Sequence, residues 1–495
     1  MEHQKNEKIG KGFFWKLLEN FGVSGIQFVL QIILARMLSP EHYGVLSIMI
    51  IFTSLADVFI NSGFSTSLIQ NKDVSEEDYS SVFWVTLTLA ALSYGIIFVA
   101  APWVAVFYSM PSLVQPLRIL ALILFPGTLS SVQWAKVSRE MDFKKIFYSN
   151  IAGTIISGVA GVTVAYMGGG LWALVVQRMV GTVCNCIVLH FTVRLKLYFV
   201  CSFRRVKVLF TFGWKLLVSA LLDTLYSNLQ SLVIGKKYNS ATLAYNDKGK
   251  HYPQFIINAV NGAVQSVMLP AMSAEQDNQT RVKDLMRTSM TMSAYILFPM
   301  MAGLAAVATP LVSLMLTDKW LPCVPYMQIY CFSLAFYPVH SCNLQAVNSM
   351  GRSDLFLKLE IIKKSYGIVI LAIAVFCFDS PLAIAATGLF TTWIGWFVNS
   401  FPNKKLIGYS YREQIFDIFP ILFMSFGMCA LVLIVGKWCQ STGMLSLLTM
   451  LIQVVTGVGI YVLLSMLLRP APFRILLNQV KKICVKSVKR DNRNH

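Results

Sequence analysis

Long apolar runs are the feature of this sequence that most restricts its fold. Stretches of about 20 mainly apolar residues, each long enough to cross ~30 Å of hydrocarbon, recur from end to end. We count about fourteen, and no interval between them is long enough for a soluble domain. Of the 495 residues, 56% are hydrophobic and 13% are charged. The sequence therefore predicts an all-α polytopic membrane protein with about 14 transmembrane helices.

The basic residues lie mainly on one side of these runs. A net charge of +19 would suggest a nucleic-acid partner for a soluble chain. Here, most of the 42 Lys and Arg residues fall on the side of the two termini, and the opposite turns hold only Arg36, Lys236, Lys237, Lys319 and Lys437. An excess of basic residues in short loops marks the cytoplasmic side of a membrane. We therefore predict that both termini are cytoplasmic and that nucleic acid is not a partner.

Two parts of the sequence resemble each other. The tetrapeptide "WKLL" occurs at residues 15–18 and again at 214–217, and polar residues follow both copies at the same steps. At 100° per residue each set forms one stripe along a helix. The stripes are Lys16, Asn20, Ser24 and Gln31 in the first copy, and Lys215, Ser219, Asp223 and Gln230 in the second. "FPGTLSSVQ" at 125–133 also aligns with "YPVHSCNLQ" at 337–345.

The repeats predict the domain organisation. Both copies start from the cytoplasmic side, so the halves are parallel repeats, and transporters built in this way hold substrate between the halves. We expect two six-helix lobes, then two further helices, then a basic cytoplasmic tail. The predicted boundaries are 1–200, 201–405, 406–470 and 471–495.

The polar segment "LAYNDKGKHYP", residues 243–253, allows two interpretations. If the repeat holds, a helix begins near Ser240, and Lys250 then shares a face with Gln254, Asn258 and Asn261 while Lys248 points away. Alternatively, residues 236–251 form an outer loop. The first interpretation is favoured because it keeps the segment in register with the first repeat.

Ionisable side chains inside a membrane usually face a partner or a watery cavity, which makes them candidate functional residues. The cationic candidates for binding an anionic substrate are Lys16, Arg178, Lys215 and Lys250. The polar residues expected to line the same cavity are Asn20, Gln31, Gln230, Gln254, Asn258 and Asn261. The candidates for coupling to an ion are Asp223, Glu19 and Asp57. Each also has a structural interpretation, since Lys16 could reach cytoplasmic water and the amides could bond neighbouring helices.

Motifs for catalysis and metal binding are not found in the sequence. It contains no phosphate-binding GxxxxGK[ST] loop, no HExxH and no nucleophile elbow. The ten cysteines are scattered without a CxxC pair, and we interpret them as small apolar residues. We therefore expect no enzymatic activity, no cofactor and no metal, and we favour transport by alternating access.

The opening "KGFFWKLLENFGVSGIQFVLQIILARMLSPEHYGVLSIMIIF" and "AYNDKGKHYPQFIINAVNGAVQSVMLPAMSAEQD" resemble the polysaccharide exporters of the multidrug/oligosaccharidyl-lipid/polysaccharide superfamily. The resemblance implies fourteen helices and a flippase for undecaprenyl-diphosphate-linked oligosaccharide in O-antigen, capsule or exopolysaccharide biosynthesis. It also implies a monomer in the bacterial inner membrane, with membrane lipid and polysaccharide polymerases as partners. The family's cationic cavity would here be built from Lys16, Lys215, Lys250 and Arg178.

Two alternatives to a flippase fit the sequence less well. A cation-coupled drug or metabolite antiporter of the same fold would have an acidic, aromatic-lined cavity, which the excess of basic residues disfavours. A membrane enzyme that transfers glycans would have large outer loops with catalytic acids, whereas the predicted outer turns are short.

Overall fold

Helices account for nearly all of the chain that the computed structural model describes, which is residues 2–61, 63–70, 74–193, 195–200 and 202–478. This part of the chain contains no β-strand. Its α-helices are α1 (Glu2–Met37), α2 (Pro40–Asn61), α3 (Phe64–Gln70), α4 (Glu76–Phe107), α5 (Val114–Leu120), α6 (Leu124–Glu140), α7 (Phe143–Tyr166), α8 (Leu171–Val193), α9 (Phe203–Lys237), α10 (Ser240–Ala274), α11 (Gln279–Ala306), α12 (Ala308–Leu316), α13 (Val324–Ala335), α14 (Tyr337–Ser349), α15 (Ser353–Cys377), α16 (Pro381–Leu406), α17 (Tyr411–Ser441) and α18 (Ser446–Leu468). Short 3-10 turns lie at Pro111–Leu113, Ala121–Ile123 and Asp318–Cys323.

The described helices include ten that are long and apolar enough to cross a membrane. This finding confirms the prediction of an all-α, multi-span membrane protein. The other predicted spans fall in α1, α10, α13 with α14, and α15. In α1 the apolar part is only Gly22–Met37, and α13 and α14 are separated by a break at Phe336.

Two compact units make up the chain, residues 1–244 and residues 245–495. The first unit contains α1 to α9 and the start of α10, and the second contains the rest of α10 and α11 to α18. The lobe boundaries given above from the sequence stay a prediction.

The polar segment at 243–253 is helical. α1 ends at Met37 and α2 begins at Pro40, and α9 ends at Lys237 and α10 begins at Ser240, so both boundaries repeat after 200 residues (237 − 37 and 240 − 40). Pro253 lies inside α10. The helical interpretation of this segment is confirmed, and the outer-loop interpretation is wrong.

In the first unit, α7 and α8 pack closely because small residues recur along α7. They are Ser149, Gly153, Ser157, Gly161 and Ala165, all buried and spaced by four. A Cβ added to Gly161 would lie 2.9 Å from the Cβ of Gln177, and one added to Gly153 would lie 3.1 Å from the carbonyl oxygen of Gly181. Small side chains allow membrane helices to approach this closely, since dispersion and backbone contacts replace the hydrophobic effect in lipid.

The connection between α8 and α9, residues 195–200, is fastened to the start of α4, and we call it the strap. The indole Nε1 of Trp84 donates to the carbonyl oxygen of Tyr198 at 2.9 Å, and the amide of Tyr198 donates to the hydroxyl of Ser80 at 3.0 Å. The amide of Ser202 donates to the hydroxyl of Ser81 at 3.0 Å. Side chains of α4 thus bind backbone groups that have no helical partner.

In the second unit, ionic contacts join the start of α11 to the start of α17. Lys283 lies 2.8 Å from the carboxylate of Glu413, and Arg287 lies 2.5 Å from that of Asp417. The hydroxyl of Tyr409 donates to Asp417 at 2.7 Å. Burial, followed by the bond to Asp417, raises the pKa of Tyr409, so this phenol stays protonated and remains a donor at neutral pH.

A fully buried amide network joins α14, α16 and α17 in the same unit. The side chain of Asn343 donates to the Oε1 of Gln414 at 3.0 Å and receives a bond from the Nε2 of Gln414 at 3.0 Å. The indole of Trp396 donates to the same Oε1 at 3.0 Å, and Asn403 donates to the Oδ1 of Asn343 at 2.8 Å. These bonds fix the register of three helices that are otherwise held by apolar contacts.

Candidate functional site

The polar stripe of α1 is described only in part. The side chains of Lys16 and Asn20 lie outside the described residues, so their predicted roles stay predictions. Gln31, further along the same helix, is half-buried. Glu19 is buried, with 8% of its surface exposed.

A hydrogen-bonded chain links Glu19 to two other helices. The amide nitrogen of Asn150 on α7 donates to Glu19 at 2.9 Å, and that of Asn185 on α8 donates to the Oδ1 of Asn150 at 2.5 Å. The hydroxyl of Ser149 donates to the backbone carbonyl of Asn185 at 2.9 Å. Glu19 therefore ties α1, α7 and α8 together, which supports a structural role at least as well as ion coupling.

Arg178 is the candidate whose surroundings are most informative. It lies seven residues into α8, about 10 Å along the helix. Its side chain is exposed, and among the described residues it has no hydrogen-bond or ion-pair partner. Asn185, seven residues later, shares its face because seven residues complete nearly two turns. Arg178 thus presents from an apolar helix a guanidinium that no described residue binds, on the face that also contacts the Glu19 network.

Asp57 belongs to the same unit. It is exposed near the end of α2 and accepts a bond from the side chain of Asn61 at 2.7 Å. A Cβ added to Gly127 of α6 would lie 3.8 Å from the carboxylate of Asp57. Asp57 is therefore an accessible carboxylate beside α6, with a neutral amide as its neighbour.

The stripe of α9 is accessible over most of its length. Lys215 and Asp223 are exposed, and Gln230 is half-buried. In the described part of the chain Lys215 has no hydrogen-bond or ion-pair partner, whereas Asp223 and Gln230 each have at least one interaction. An unpaired cation and a separately engaged carboxylate on one helix are consistent with a polar surface open to a ligand.

The stripe of α10 belongs to the second unit. Lys250 and Gln254 are half-buried, Asn258 is exposed and Asn261 is half-buried. The Nε2 of Gln254 donates to the Oδ1 of Asn258 at 2.9 Å, which leaves other donor and acceptor positions of both amides available. The four residues thus lie along one face of α10, and their role in binding stays a prediction.

The surroundings of Lys248 could not be predicted from the helical periodicity of α10. Lys248 does point away from Lys250, but it is only 9% exposed, and its ammonium lies 5.7 Å from the ring centroid of Trp320. Asn246, two residues earlier, accepts a bond from the hydroxyl of Tyr330 at 2.8 Å. The side of α10 opposite the stripe thus packs against aromatic residues, and Lys248 is buried beside them.

The structure brings together some of the predicted residues but not all. Glu19 and Arg178 are linked through α8, and Asp57 lies beside α6 in the same unit. Arg178, Lys215 and Lys250 form no ion pair with any described acidic residue. Within the described chain, no group of three or more His, Cys, Asp or Glu residues could hold a metal ion. The chemistry offered is that of cations and amides that are free to bind an anionic, hydroxyl-rich ligand.

Two features of the structure were missed from the sequence. Asn150 is central to the hydrogen-bonded chain that begins at Glu19. In the sequence, only its amide side chain within the apolar run of α7 could have indicated this role. The network of Asn343, Gln414 and Trp396 joins residues that are up to 71 positions apart, and no periodic pattern relates them.

The sequence profile described as polysaccharide biosynthesis protein matches residues 33–325, more than half of the chain. The chain belongs to the polysaccharide biosynthesis protein family. Membership confirms the resemblance to polysaccharide exporters. The succinoglycan biosynthesis transport protein ExoT of Rhizobium meliloti is 23% identical over 349 residues, which cover 70% of this chain and 71% of that protein. The lipopolysaccharide biosynthesis protein WzxC of Escherichia coli is 22% identical over 435 residues, covering 85% and 86%.

The fold of this family member is shared with a solved structure. The lipid II flippase MurJ, in an inward closed conformation, superposes with a TM-score of 0.71. That alignment covers 94% of this chain and 100% of the other, at 15% sequence identity. The similarity establishes the fold, while substrate and mechanism have to be argued from residues.

Proposed function

We propose that this protein is a flippase that moves undecaprenyl-diphosphate-linked oligosaccharide across the bacterial inner membrane by alternating access. The translocated oligosaccharide would enter O-antigen, capsule or exopolysaccharide biosynthesis. Family membership supports this proposal, as do the relatives, which are named for transport in succinoglycan biosynthesis and for lipopolysaccharide biosynthesis.

The observation that carries the proposal is the guanidinium of Arg178, which has no partner among the described residues. A charged residue at depth in a transmembrane helix costs about 2.5–3.5 kcal/mol on insertion scales, so a cation without a protein partner is expected to have a functional one. A guanidinium binds phosphate through two parallel hydrogen bonds, which a diphosphate can accept. The exposed Lys215 supplies a second cation on α9.

The amides of α10 support the glycan part of the proposal. Gln254 and Asn258 bond each other and retain further donors and acceptors, which suit sugar hydroxyls. Glu19, Asp57 and Asp223 are the carboxylates available for coupling to protons or sodium, and Asp223 is the first choice because it replaces a neutral Ser at the matching step of α1.

The test is flipping of lipid-linked oligosaccharide in proteoliposomes, with Arg178→Ala, Arg178→Lys and a matched control. Arg118→Ala is the control, because Arg118 is occupied by the carbonyl oxygen of Phe98 at 3.1 Å and by its ring at 4.0 Å. We expect Arg178→Ala to abolish flipping, Arg178→Lys to retain part of it and Arg118→Ala to resemble the parent.

Equal activity of the two alanine variants would refute the role of Arg178. A parent protein that exchanges organic cations for protons, and leaves the lipid-linked substrate in place, would favour the antiporter alternative.

A further inference from the structure

The turn between α16 and α17, in the second unit, carries three cations that no described acidic residue binds. They lie on the last turn of α16 and the first turn of α17, and they are Lys404, Lys405 and Arg412. All three are exposed, and none has a hydrogen-bond or ion-pair partner in the described part of the chain. The acidic residues of the stretch 401–423, Glu413 and Asp417, are already paired with cations of α11. The positive charge of the turn is therefore left uncompensated.

The turn holds these cations in a fixed place. A capping box closes the start of α17, in which the backbone amide of Ser410 donates to Glu413 at 2.8 Å and the amide of Glu413 donates to the hydroxyl of Ser410 at 3.4 Å. The rings of Phe397 and Tyr411 pack with their centroids 4.0 Å apart, which joins the last turns of α16 to the first residue of α17. Arg412 follows directly, so its position relative to the end of α16 is set by folded structure.

Exposed aromatic side chains continue the line that starts at Arg412. At 100° per residue Phe416, Phe419 and Phe423 lie within about 40° of Arg412 around α17. Each of these three rings is more than half exposed. On α16, Phe401 precedes the two lysines by one turn and is equally exposed. Both helices thus carry cations at this end and aromatic side chains one turn or more further along the helix.

The dimensions of this surface match one membrane lipid. From Arg412 to Phe423 α17 rises by about 16 Å, and half of a ~30 Å hydrocarbon core is about 15 Å. A headgroup beside the cations would therefore place its acyl chains along the three phenylalanines. Arginine binds a phosphate through two parallel hydrogen bonds, and basic residues near a membrane surface attract anionic lipids.

We propose that residues 401–423 form a binding site for an anionic phospholipid. Its phosphate contacts Lys404, Lys405 and Arg412, and its acyl chains lie along the phenylalanines of α17. Three uncompensated cations favour a headgroup with a net negative charge, since they repel the ammonium group of a zwitterionic one. The bound lipid belongs to the surrounding membrane, so the inference does not depend on which substrate the protein transports.

The test is native mass spectrometry of the full chain released from detergent, which gives the Kd of the first bound lipid. The probes are dioleoyl-phosphatidylglycerol, which is anionic, and dioleoyl-phosphatidylcholine, which has the same acyl chains and a zwitterionic headgroup. We expect the parent to prefer phosphatidylglycerol. Arg412→Gln should weaken that binding about fivefold, and the triple replacement of the cations should weaken it on the order of a hundredfold.

A matched control lies at the other end of the same helix. Lys437 is exposed beside the exposed Trp438, and it too has no partner among the described residues. Lys437→Gln removes one charge as Arg412→Gln does, and it should leave the Kd of phosphatidylglycerol unchanged. Phe419→Ala should weaken binding of both lipids, whereas Phe376→Ala, which removes an exposed ring of α15, should weaken neither. All of these side chains are exposed, so each variant should melt like the parent.

Three results would overturn the inference. Equal weakening by Arg412→Gln and Lys437→Gln would show attraction to net charge without a site. Equal affinity of the parent for the two phospholipids would show that the cations do not select the headgroup. Displacement of bound phosphatidylglycerol by an equal concentration of undecaprenyl diphosphate would assign the surface to the transported lipid. If Arg412→Gln does not yield folded protein, the double replacement of Lys404 and Lys405 by Gln tests the same headgroup contact.

Discussion

Replacing Gln414 by Leu should destabilise the second unit measurably. Gln414 is fully buried, and its side-chain amide takes part in three hydrogen bonds, two with Asn343 and one with Trp396. Leu has a similar volume, so the change removes the bonds without leaving a large cavity. Asn343 keeps bonds to Val339 and Asn403, whereas the indole N–H of Trp396 loses its partner.

The loss in free energy of unfolding can be estimated from the hydrogen bonds that are removed and from the donor that is left without a partner. A buried donor left without a partner costs about 1–3 kcal/mol. Side-chain hydrogen bonds between membrane helices are worth about 0.6 kcal/mol each, so the two bonds with Asn343 add about 1.2 kcal/mol. The free energy of unfolding should fall by about 2–4 kcal/mol, since the apolar side chain cannot bond the indole. At about 2 °C per kcal/mol for a unit of this size, the melting temperature should fall by about 4–8 °C.

Scanning fluorimetry of the detergent-purified protein measures this shift. The control is Gln440→Leu, because Gln440 lies on the same helix α17 but is exposed. The control should melt within about 1 °C of the parent. If Gln414→Leu melts with the control, the buried amides contribute nothing measurable, and the network does not fix the register of α14, α16 and α17.

Three further predictions concern topology and transport. A single cysteine at Arg139 should escape an impermeant reagent added to intact cells, since that loop is predicted to be cytoplasmic; labelling there would refute the fourteen-span map. Lys16→Ala and Lys215→Ala should each slow flipping, and the double variant should lose more than either alone by a non-additive amount if both contact one diphosphate. Asp223→Asn should lose the response of flipping to a pH gradient, and an unchanged response would make Asp223 structural.

Helix positions were predictable because apolar runs and the repeat constrain the same segments. The start of α10 at Ser240 follows from the first repeat alone, although the local composition around Asp247 and Lys250 resembles a loop. Within a membrane, length and average hydropathy decide whether a segment is a helix, since unpaired backbone groups are excluded from lipid.

The direction of individual side chains was less predictable. Periodicity places Lys248 opposite Lys250, yet it cannot tell whether that opposite face meets lipid, water or protein, and Lys248 meets Trp320. The polar links also depend on tertiary contact. Glu19 and Asn150 are 131 positions apart, and their bond could not be inferred from either helix alone.

The strap and the adjoining Ser202 have a mechanical consequence for α9. Because Ser202 is bound to Ser81, the start of α9 is a fixed point, and the helix behaves as a lever of 35 residues, about 52 Å long. A tilt of about 10° around this pivot displaces Gly213, some 15 Å along, by about 3 Å, but displaces the far end of the helix by about 9 Å. One small rotation would thus move the far end of α9 about three times as far as Gly213, so the segment beside the strap stays almost in place while the end near Ser240 shifts.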